Sequence, residues 1–471
     1  MYKKASAFLK TVVLIALFLA AFGMAIVASA APASLSREGA GVAAAATRTR
    51  TRTPARTRTP TLATRKTATR TRTPSPGASR TPTLLTRITA TRTRTPTTIT
   101  RTVPWTMTPT ITQTPTPPAT CAAVTLDKGP TLIFTGDNTK MRVSWQWSAS
   151  VIFQMQWGAD TTYSLGNAPV ATYDAANFLY QYDISGLTPG NKYYYQVMVG
   201  AQCSGGTFYA APSATAANVK FFAYGDTRTN GGVHDGIAAR IIANYTADPA
   251  FQTLNLHVGD WVSDDSETAW TDEWFAYPNV RAQDAHIADI GVRGNHEAGA
   301  VYWTRYWPEP FQPGGLYWSF DYGPMHVVML DQYTAYNAGS TQYNWLQADL
   351  AASTKTWKFI VLHEPGWSSG GGHANNTTVQ TDIEPLCEQY GVSIVFGGHN
   401  HYYARAVVNG IQHLTVGGGG ADQHIPEAGY PNVVISSNTY GWSQYEIAGN
   451  TLTATAYDNS GAVIDSYTIT R

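Results

Sequence analysis

Five apolar segments of this 471-residue chain each end in side chains that can bind a metal ion. The first two segments end in Asp226 and Asp260, within AYGDTR and HVGDWVS. The other three end in side chains of the same kind, namely Asn295 with His296, His363, and His399 with His401. Buried charges are costly unless they are paired or bound to metal. We therefore expect a shared metal site rather than separate caps and core histidines.

The chain alternates candidate strands and helices from Val219 onward. Strands are predicted at 219–224, 253–258, 287–293, 325–330, 358–362, 392–397 and 411–416. Helices are predicted between several of them, such as 233–247, 341–353 and 380–390. This alternation is typical of an α/β sheet, which binds ligands at the carboxyl ends of its strands. We expect the five polar ends to meet at one edge of a single sheet.

The candidate ligands are two Asp, one Asn and three His. These oxygen and nitrogen donors suit Mn, Fe, Zn or Mg rather than copper. Six ligands exceed what one tetrahedral zinc ion needs, so the set predicts two ions that share a bridging carboxylate. Two ions about 3.5–4 Å apart can clamp the attacking and leaving oxygens of a phosphoryl displacement and acidify a bridging water.

The motifs GD, GD, GNHE, H and GHxH follow one another in an order and spacing that resemble the calcineurin-like metallophosphoesterases. A region rich in predicted β-strands, residues 121–214, precedes these motifs. With that region, the chain is similar to a bacterial member of the purple acid phosphatase branch. The resemblance covers residues 122–471, with the metallophosphoesterase domain at 217–471. It implies an αββα sandwich with a dimetal site between loops at one edge, holding two divalent or mixed-valence ions of Fe, Mn or Zn.

The resemblance also implies a role for each candidate site residue. The ligands it implies are Asp226 and His401 for the first ion, Asp260 for the bridge, and Asn295, His363 and His399 for the second ion. His296 is implied to bind the phosphate and to help protonate the leaving alcohol. The alternative for His296 is an ordinary polar loop residue.

Two positions depart from the family pattern. The purple enzymes have a tyrosine ligand three residues after the bridging aspartate, where this chain has Ser263. Other branches have a histidine where this chain has Arg228. Water, Ser263 through a water, or His234 could replace the missing ligand. Arg228 is expected to contact substrate phosphate, with a surface ion pair as the alternative. His373, ten residues after His363, is expected to line the substrate pocket, with a plain loop as the alternative.

The region 121–214 has the period-two alternation of β-strands, as in MRVSWQW (141–147) and KYYYQVMVG (192–200). It predicts a small all-β sandwich, and GLTPGNKYYYQV resembles the sixth-strand region of a fibronectin type III module. Cys121 opens this region and Cys203 follows its sixth strand, so we expect a disulfide between them. Cys387 is expected to be a buried free thiol.

The N-terminal region predicts export. Three lysines precede an apolar run and a small-residue cleavage pattern, which together indicate a signal peptide at 1–30. An uncleaved membrane anchor is the alternative. Residues 31–120 are rich in Thr, Arg and Pro and predict a disordered linker. The linker is expected to be a spacer, with association with the cell wall or surface as the alternative, and the protein to be secreted or on the cell surface.

The net charge of residues 121–471 limits the classes of molecule that the protein is expected to bind. Residues 121–471 hold 30 of the acidic residues and 14 of the basic ones, a formal net charge near −16, although the whole chain is +1. This balance argues against nucleic acid as a partner and favours a small-molecule phosphate ester. We expect a phosphoric-ester hydrolase that acts on phosphomonoesters. A phosphodiesterase or nucleotidase on the same metal core is the first alternative, and a surface adhesion protein with a degenerate metal site is the alternative from another class.

Overall fold

The computed structural model describes residues 121–248, 250–251 and 254–471. The predicted signal peptide and linker therefore lie outside the described residues. Within the described part of the chain, no helix combines the length and the apolar character that a membrane crossing requires.

The first nine strands form two sheets. Their bounds are β1 (Ala122–Ala123), β2 (Lys128–Ile133), β3 (Lys140–Gln146), β4 (Phe153–Gly158), β5 (Gly166–Val170), β6 (Thr172–Asp174), β7 (Leu179–Ser185), β8 (Lys192–Val199) and β9 (Gln202–Tyr209). The strand orders are β1-β9-β8-β4-β5 and β2-β3-β7-β6. The ring of Phe153 in one sheet lies 5.5 Å from Trp145 and 4.8 Å from Tyr180 in the other. The expected all-β sandwich is present, and its assignment to the fibronectin type III class stays a prediction.

The remaining strands form two further sheets. Their bounds are β10 (Asn218–Tyr224), β11 (Leu254–His257), β12 (Ala288–Gly291), β13 (Trp318–Tyr322), β14 (Met325–Met329), β15 (Trp357–Val361), β16 (Ile394–Gly397), β17 (Tyr403–Val408), β18 (Ile411–Val416), β19 (Val433–Ser437), β20 (Gly441–Ala448), β21 (Thr451–Asp458) and β22 (Val463–Thr470). One sheet has the order β12-β11-β10-β20-β21-β22, and the other has the order β13-β14-β15-β16-β18-β17-β19. The predicted strands from 219 to 416 are all present.

Helices pack on the outer face of each of these two sheets. Their bounds are α1 (Gly231–Ala247), α2 (Glu267–Ala269) continuing as a π-helical segment (Trp270–Phe275), α3 (Pro278–Asp284), α4 (Val301–Tyr306), α5 (Thr341–Ala352), and a π-helical segment (Val379–Ile383) continuing as α6 (Glu384–Tyr390). Phe221 of β10 points between the sheets, where it contacts Phe359 and stacks on Tyr445. Its neighbour Phe222 points outward into the cluster that contains Ile237 of α1. This αββα layering confirms the predicted fold class.

The prediction of a single sheet was wrong. Strands β10, β11 and β12 are parallel neighbours in the six-stranded sheet. Strands β15 and β16 are parallel neighbours in the seven-stranded sheet. Strands that are buried on both faces all read as continuous apolar runs, so the sequence pattern does not say which strands pair. The five polar ends therefore come from two facing sheets, at the edge where their carboxyl ends meet.

The N-terminal sandwich packs against the αββα domain through buried contacts. Lys128 of β2 forms an ion pair with Glu267 at 2.5 Å. The hydroxyl group of Tyr195 donates to the carbonyl oxygen of Ala285 at 3.0 Å. The ring of Phe134 lies 5.4 Å from that of Phe320. The two parts share one apolar core, so the sandwich is fixed in position beside the domain that carries the candidate site.

The cysteines pair as predicted. Cys121 and Cys203 form a disulfide with a Cα–Cα distance of 5.9 Å. It lies beside the parallel pairing of β1 with β9, where Ala122 is opposite Gln202. Cys387 is a buried free thiol in α6. The disulfide therefore joins the start of the sandwich to its last strand.

Candidate metal centre

The turns that follow β10 and β11 hold their aspartates in an unusual backbone conformation. Asp226 has a φ of 55° and Asp260 a φ of 54°, both in the left-handed region. Non-glycine residues there cost of order 1–3 kcal/mol and persist only where their surroundings hold them. The two turns hold each other: Asp226 N–H donates to Gly259 O at 2.9 Å, and Thr227 N–H donates to Asp260 O at 2.9 Å. This pairing fixes the two carboxylates side by side.

Asp226, Asp260 and His401 form the first group of candidate ligands. One ligand atom from each lies within 4.8 Å of the others, and all three residues are buried. Nδ1 of His401 donates to the carbonyl oxygen of Asp422 at 2.6 Å, which leaves Nε2 facing the carboxylates. Burial lowers the pKa of His401 to about 3, so the imidazole is neutral near pH 7 and keeps a lone pair for a metal ion.

Asn295, His363 and His399 form the second group. Nε2 of His363 lies 3.2 Å from Oδ1 of Asn295 and 3.3 Å from Oδ1 of Asp260. Nδ1 of His363 donates to the carbonyl oxygen of Val258 at 2.8 Å, so Nε2 is again the free nitrogen. The rings of His363 and His399 are 4.9 Å apart. These distances bring together the residues that the resemblance assigned to the second ion.

Nδ1 of His399 is buried and has no hydrogen-bond partner in the described part of the chain. Burial, together with the neighbouring histidines, lowers the pKa of His399 to about 2, so its ring is neutral. A buried nitrogen without a hydrogen-bond partner destabilises the folded protein unless it binds a ligand or an ion. The orphaned nitrogen and the oxygen and imidazole donors around it fit a metal ion.

Asp260 lies between the two groups. Its Oδ1 faces His363, and its Oδ2 accepts a hydrogen bond from Nε of Arg228 at 3.2 Å. Burial raises the pKa of Asp260, but His363, His296 and Arg228 outweigh that effect and lower it. Burial and the nearby charge of Asp260 instead raise the pKa of Asp226 well above its usual value. The carboxylates of Asp226 and Asp260 have ligand atoms within 4.8 Å of each other, and two negative charges at this distance favour a cation between them.

Two glycines leave the space that the carboxylates occupy. A Cβ atom at Gly294 would lie 2.0 Å from Oδ1 of Asp260. A Cβ atom at Gly398 would lie 2.2 Å from Oδ2 of Asp226. Real Cβ atoms do not approach oxygen this closely, so a larger residue at either position would push an aspartate out of place. The glycines of the GNHE and GGHNH motifs are therefore required by packing against the candidate ligands.

His296 lies beside the candidate ligands with one ring nitrogen free. Its backbone N–H donates to Oδ1 of Asp260 at 3.2 Å. Its Nδ1 donates to the carbonyl oxygen of Ser263 at 2.5 Å. Its Nε2 is 3.7 Å from Oδ2 of Asp260, and the side chain is 28% exposed. The free nitrogen of His296 can therefore reach a molecule that enters from solvent.

Two further predicted site residues lie at the same edge. Arg228 pairs with Asp260 and its Nη2 is 3.3 Å from Nε2 of His401, while its side chain is 17% exposed. The ring of His373 stacks on that of His399 at 3.7 Å. His373 is exposed, so it covers the inner histidine and faces the solvent.

Both protein side chains considered as replacement ligands contact other partners. Nε2 of His234 lies 3.0 Å from the hydroxyl group of Tyr224, and its ring is 4.7 Å from that of Trp274. The hydroxyl group of Ser263 donates to Oε2 of Glu273 at 2.9 Å. Tyr224 belongs to the outer cluster of the six-stranded sheet, so His234 packs against aromatic side chains there.

Three supporting residues were missed in the sequence. Glu297 accepts hydrogen bonds from the N–H groups of Val262 and Gly294, both at 3.0 Å, and so ties the second and third turns together. The ring of His424 stacks on that of His401 at 3.9 Å. Glu273 accepts the hydroxyl hydrogen bond of Ser263. Glu297 is the last residue of GNHE, a signal that was available, whereas His424 and Glu273 lie in segments without a pattern that predicts their position.

A further hydrogen-bond chain runs beneath the aspartates. Nδ1 of His257 accepts from Gly259 N–H at 3.2 Å, and its Nε2 lies 3.2 Å from Oγ1 of Thr227. The hydroxyl group of Thr227 donates to the carbonyl oxygen of Trp261 at 2.9 Å. Since Nδ1 is the acceptor, Nε2 carries the proton and donates to Thr227. The chain links the turn that follows β10 to the turn that follows β11.

Part of the αββα domain that carries these residues matches a known family. Residues 237–403 match the family model described as Calcineurin-like phosphoesterase. The chain therefore contains a calcineurin-like metallophosphoesterase domain.

Curated relatives are purple acid phosphatases. The chain is 34% identical to purple acid phosphatase 18 of Arabidopsis thaliana over 27% of its own length and 35% of the relative's. It is 24% identical to a purple acid phosphatase of Glycine max over 52% of its own length and 61% of the relative's. The chain thus covers about a third of the first Arabidopsis relative and less than two thirds of the soybean one.

Solved structures share the fold. The purple acid phosphatase PPD1 from yellow lupin (Lupinus luteus) seeds superposes with a TM-score of 0.63 at 18% identity, over 73% of this chain and 75% of that one. The structure of PhoD superposes with a TM-score of 0.58 at 14% identity, over 74% of this chain and 93% of that one. The family implies a dinuclear metal centre, and the group of Asp226, Asp260 and His401 is a cluster that could hold an ion.

Proposed function

We propose that this protein is an exported, metal-dependent phosphatase that hydrolyses phosphomonoesters of small molecules. The observation that carries the proposal is the position of Asp260, whose Oδ1 lies 3.3 Å from His363 and which also belongs to the group with Asp226 and His401. One carboxylate thus faces two sets of candidate ligands, as a bridge between two ions requires. The disulfide supports export, because disulfides persist in oxidising compartments.

The ligand set divides between two positions. Asp226 and His401 would hold the first ion, Asp260 would bridge, and Asn295, His363 and His399 would hold the second. Bound ions supply Lewis acidity and lower the pKa of water toward neutrality. The hydrogen bonds from His363 to Val258 and from His401 to Asp422 keep both Nε2 atoms aimed inward. This chain therefore presents its ligands in fixed positions before an ion arrives.

Residues at the exposed edge of the site would bind the ester. His296 has a free Nε2 that can donate to a phosphate oxygen and pass a proton to the leaving alcohol. The carbonyl oxygen of Ser263 accepts from Nδ1 and stabilises the protonated ring during that transfer. Arg228 would supply a cation to the phosphate, and His373 would line the side from which the ester enters.

The alternative functions would use the same edge of the fold. A phosphodiesterase or nucleotidase would use the same ligands with a different entrance. A surface adhesion protein with a degenerate metal site would need a broken ligand set, whereas all the proposed bridging and second-site residues are present. The acidic balance of residues 121–471 supports a small phosphate ester over nucleic acid.

The test is hydrolysis by the purified chain after metal removal and reconstitution with Mn²⁺, Zn²⁺ or iron. Chromogenic monoester and diester substrates are compared at equal concentration, and Asp260→Ala is the control. Faster monoester hydrolysis that is lost in the control supports the proposal. A preference for the diester supports the phosphodiesterase alternative. If the metal-loaded chain cleaves neither substrate, the adhesion alternative gains and the phosphatase proposal falls.

A further inference from the structure

The guanidinium group of Arg228 makes two contacts within the first group of candidate ligands. Its Nε donates to Oδ2 of Asp260 at 3.2 Å. Its Nη2 lies 3.3 Å from Nε2 of His401. The imidazole of His401 already donates through Nδ1, so its Nε2 is the acceptor of this contact. Arg228 thus contacts two of the three residues that form the first group, and the third is Asp226.

The backbone around Arg228 holds the side chain in that direction. Thr229 has a φ of 72°, and its N–H donates to Oε2 of Glu273 at 2.8 Å. The preceding Thr227 N–H is bound to Asp260 O. Nη1 of Arg228 also donates to the hydroxyl oxygen of Thr229 at 3.2 Å. Residues on both sides of Arg228 are therefore fixed, and the side chain is aimed back over the aspartates.

Within the part of the chain that the structure describes, no arginine hydrogen-bonds to the side chains of the second group. The ring of His363 donates from Nδ1 to Val258, its Nε2 lies 3.2 Å from Oδ1 of Asn295, and Nδ1 of His399 has no hydrogen-bond partner in the described residues. An arginine is always charged and prefers carboxylate partners, which makes it a strong competitor for a divalent ion at an aspartate. The two proposed metal positions therefore differ in what an arriving ion must displace.

We propose that Arg228 is a built-in competitor for the first metal ion, so that the two ions bind with widely separated affinities. This inference rests on the proposed metal-dependent function. An ion that binds Asp226, Asp260 and His401 must break both contacts of Arg228 and repel its charge. An ion at the second group meets neither cost. When an ion fills the first position, the guanidinium group leaves Asp260 and His401 and turns toward the solvent. Occupancy of that position therefore controls whether Arg228 can bind a phosphate group.

Metal binding by the full-length protein tests this inference without any substrate. Mn²⁺ is titrated into chelator-treated protein by calorimetry, and bound metal is counted after dialysis. The wild-type chain should show one tight and one weak site per chain. Arg228→Met should tighten the weak site by about 10- to 100-fold, the size of effect that residues around a metal site have on affinity. The matched control is Arg240→Met on α1, which should leave both affinities unchanged.

A measurement on the wild-type protein covers the case in which Arg228→Met misfolds. Electron paramagnetic resonance during the Mn²⁺ titration should show an isolated ion up to one equivalent, and a spin-coupled pair only above it. Two equal affinities in the wild type, or coupled pairs from the first addition, would overturn the inference. So would an unchanged isotherm in folded Arg228→Met.

The inference and the proposed function can fail separately. An unchanged isotherm in a variant of a chain that hydrolyses phosphate esters removes the competitor role and leaves the function. The expected change in affinity in a chain that hydrolyses no ester removes the function and leaves the competitor role.

Discussion

Nδ1 of His296 donates a hydrogen bond of 2.5 Å to the backbone carbonyl oxygen of Ser263. The contact crosses from the GNHE turn to the turn that follows β11. It fixes the ring of His296 and leaves Nε2 as the free nitrogen, 3.7 Å from Oδ2 of Asp260. The same contact uses only the backbone of residue 263, so it does not depend on which side chain stands there.

His296→Ala should keep both metal ions while turnover falls by roughly 10²–10⁴, because a general acid is lost and no proposed metal ligand is changed. The measurements are kcat and the metal content of the same preparation. A collapse of metal content would show that His296 is a ligand and that its assigned role is wrong.

Asp260→Ala should abolish turnover and reduce bound metal to fewer than two ions per chain. The carboxylate faces both groups of candidate ligands, so its removal takes one ligand from each proposed position. Elemental analysis and a phosphatase assay check the prediction. Full activity in this variant would exclude a mechanism with two bridged ions.

The iron-loaded protein should be colourless. In the purple enzymes the colour comes from charge transfer between a tyrosinate and ferric iron, and the resemblance places Ser263 at the position of that tyrosine. The hydroxyl group of Ser263 is bound to Glu273. The visible spectrum of the iron-loaded wild type is compared with that of Ser263→Tyr, which should gain a broad band. A purple wild-type protein would mean that another tyrosine is the ligand.

Loss of the disulfide between Cys121 and Cys203 should lower the free energy of unfolding by about 2–4 kcal/mol. The bond closes a loop with a sequence separation of 82 residues, so its removal frees the unfolded chain. Denaturant unfolding of Cys121→Ser/Cys203→Ser gives the value. Thiol labelling of the unfolded, unreduced wild type should find one reactive cysteine, Cys387, whereas three would refute the pairing.

His326 should make stability depend on pH. Its two ring nitrogens lie 2.9 Å from Asp321 and 2.8 Å from Asp349. Burial opposes its charge, but the two carboxylates outweigh burial and raise the pKa of His326. The folded protein therefore holds the proton more tightly than the unfolded chain. This contribution to stability is complete below the unfolded pKa, about 6.5, and is lost as pH rises through the folded pKa.

His326→Gln should be less stable than the wild type by about 1–2 kcal/mol near pH 6, a modest value because Asp321 is half exposed and screened by solvent. The difference should shrink above pH 6.5. The control is His286→Gln. Burial lowers the pKa of His286 to about 4, so its folded form is neutral across this range, its unfolded form becomes neutral above about pH 7.5, and its effect above that pH should be flat. Denaturant titrations across this range check both, and a constant difference for His326→Gln would contradict the charged pair.

The sequence predicted the strands from 219 to 416, the αββα class and the pairing of Cys121 with Cys203. It predicted the positions of the candidate ligands for a local reason: each follows an apolar run, and the residues at 259, 294 and 398 are glycines, which such turns need. The order of the motifs then supplied a resemblance whose fold the structure confirms.

Other features depend on contacts between segments that are far apart in the chain. The sequence did not show that the polar ends belong to two sheets, because buried strands share one apolar pattern whichever partner they have. It did not show that His424 covers His401, or that the guanidinium of Arg228 lies on Asp260 and His401. Sequence by itself determined which residue types stand at the ends of the strands. Only the tertiary structure decided which of them face one another, because that depends on how two separate sheets pack.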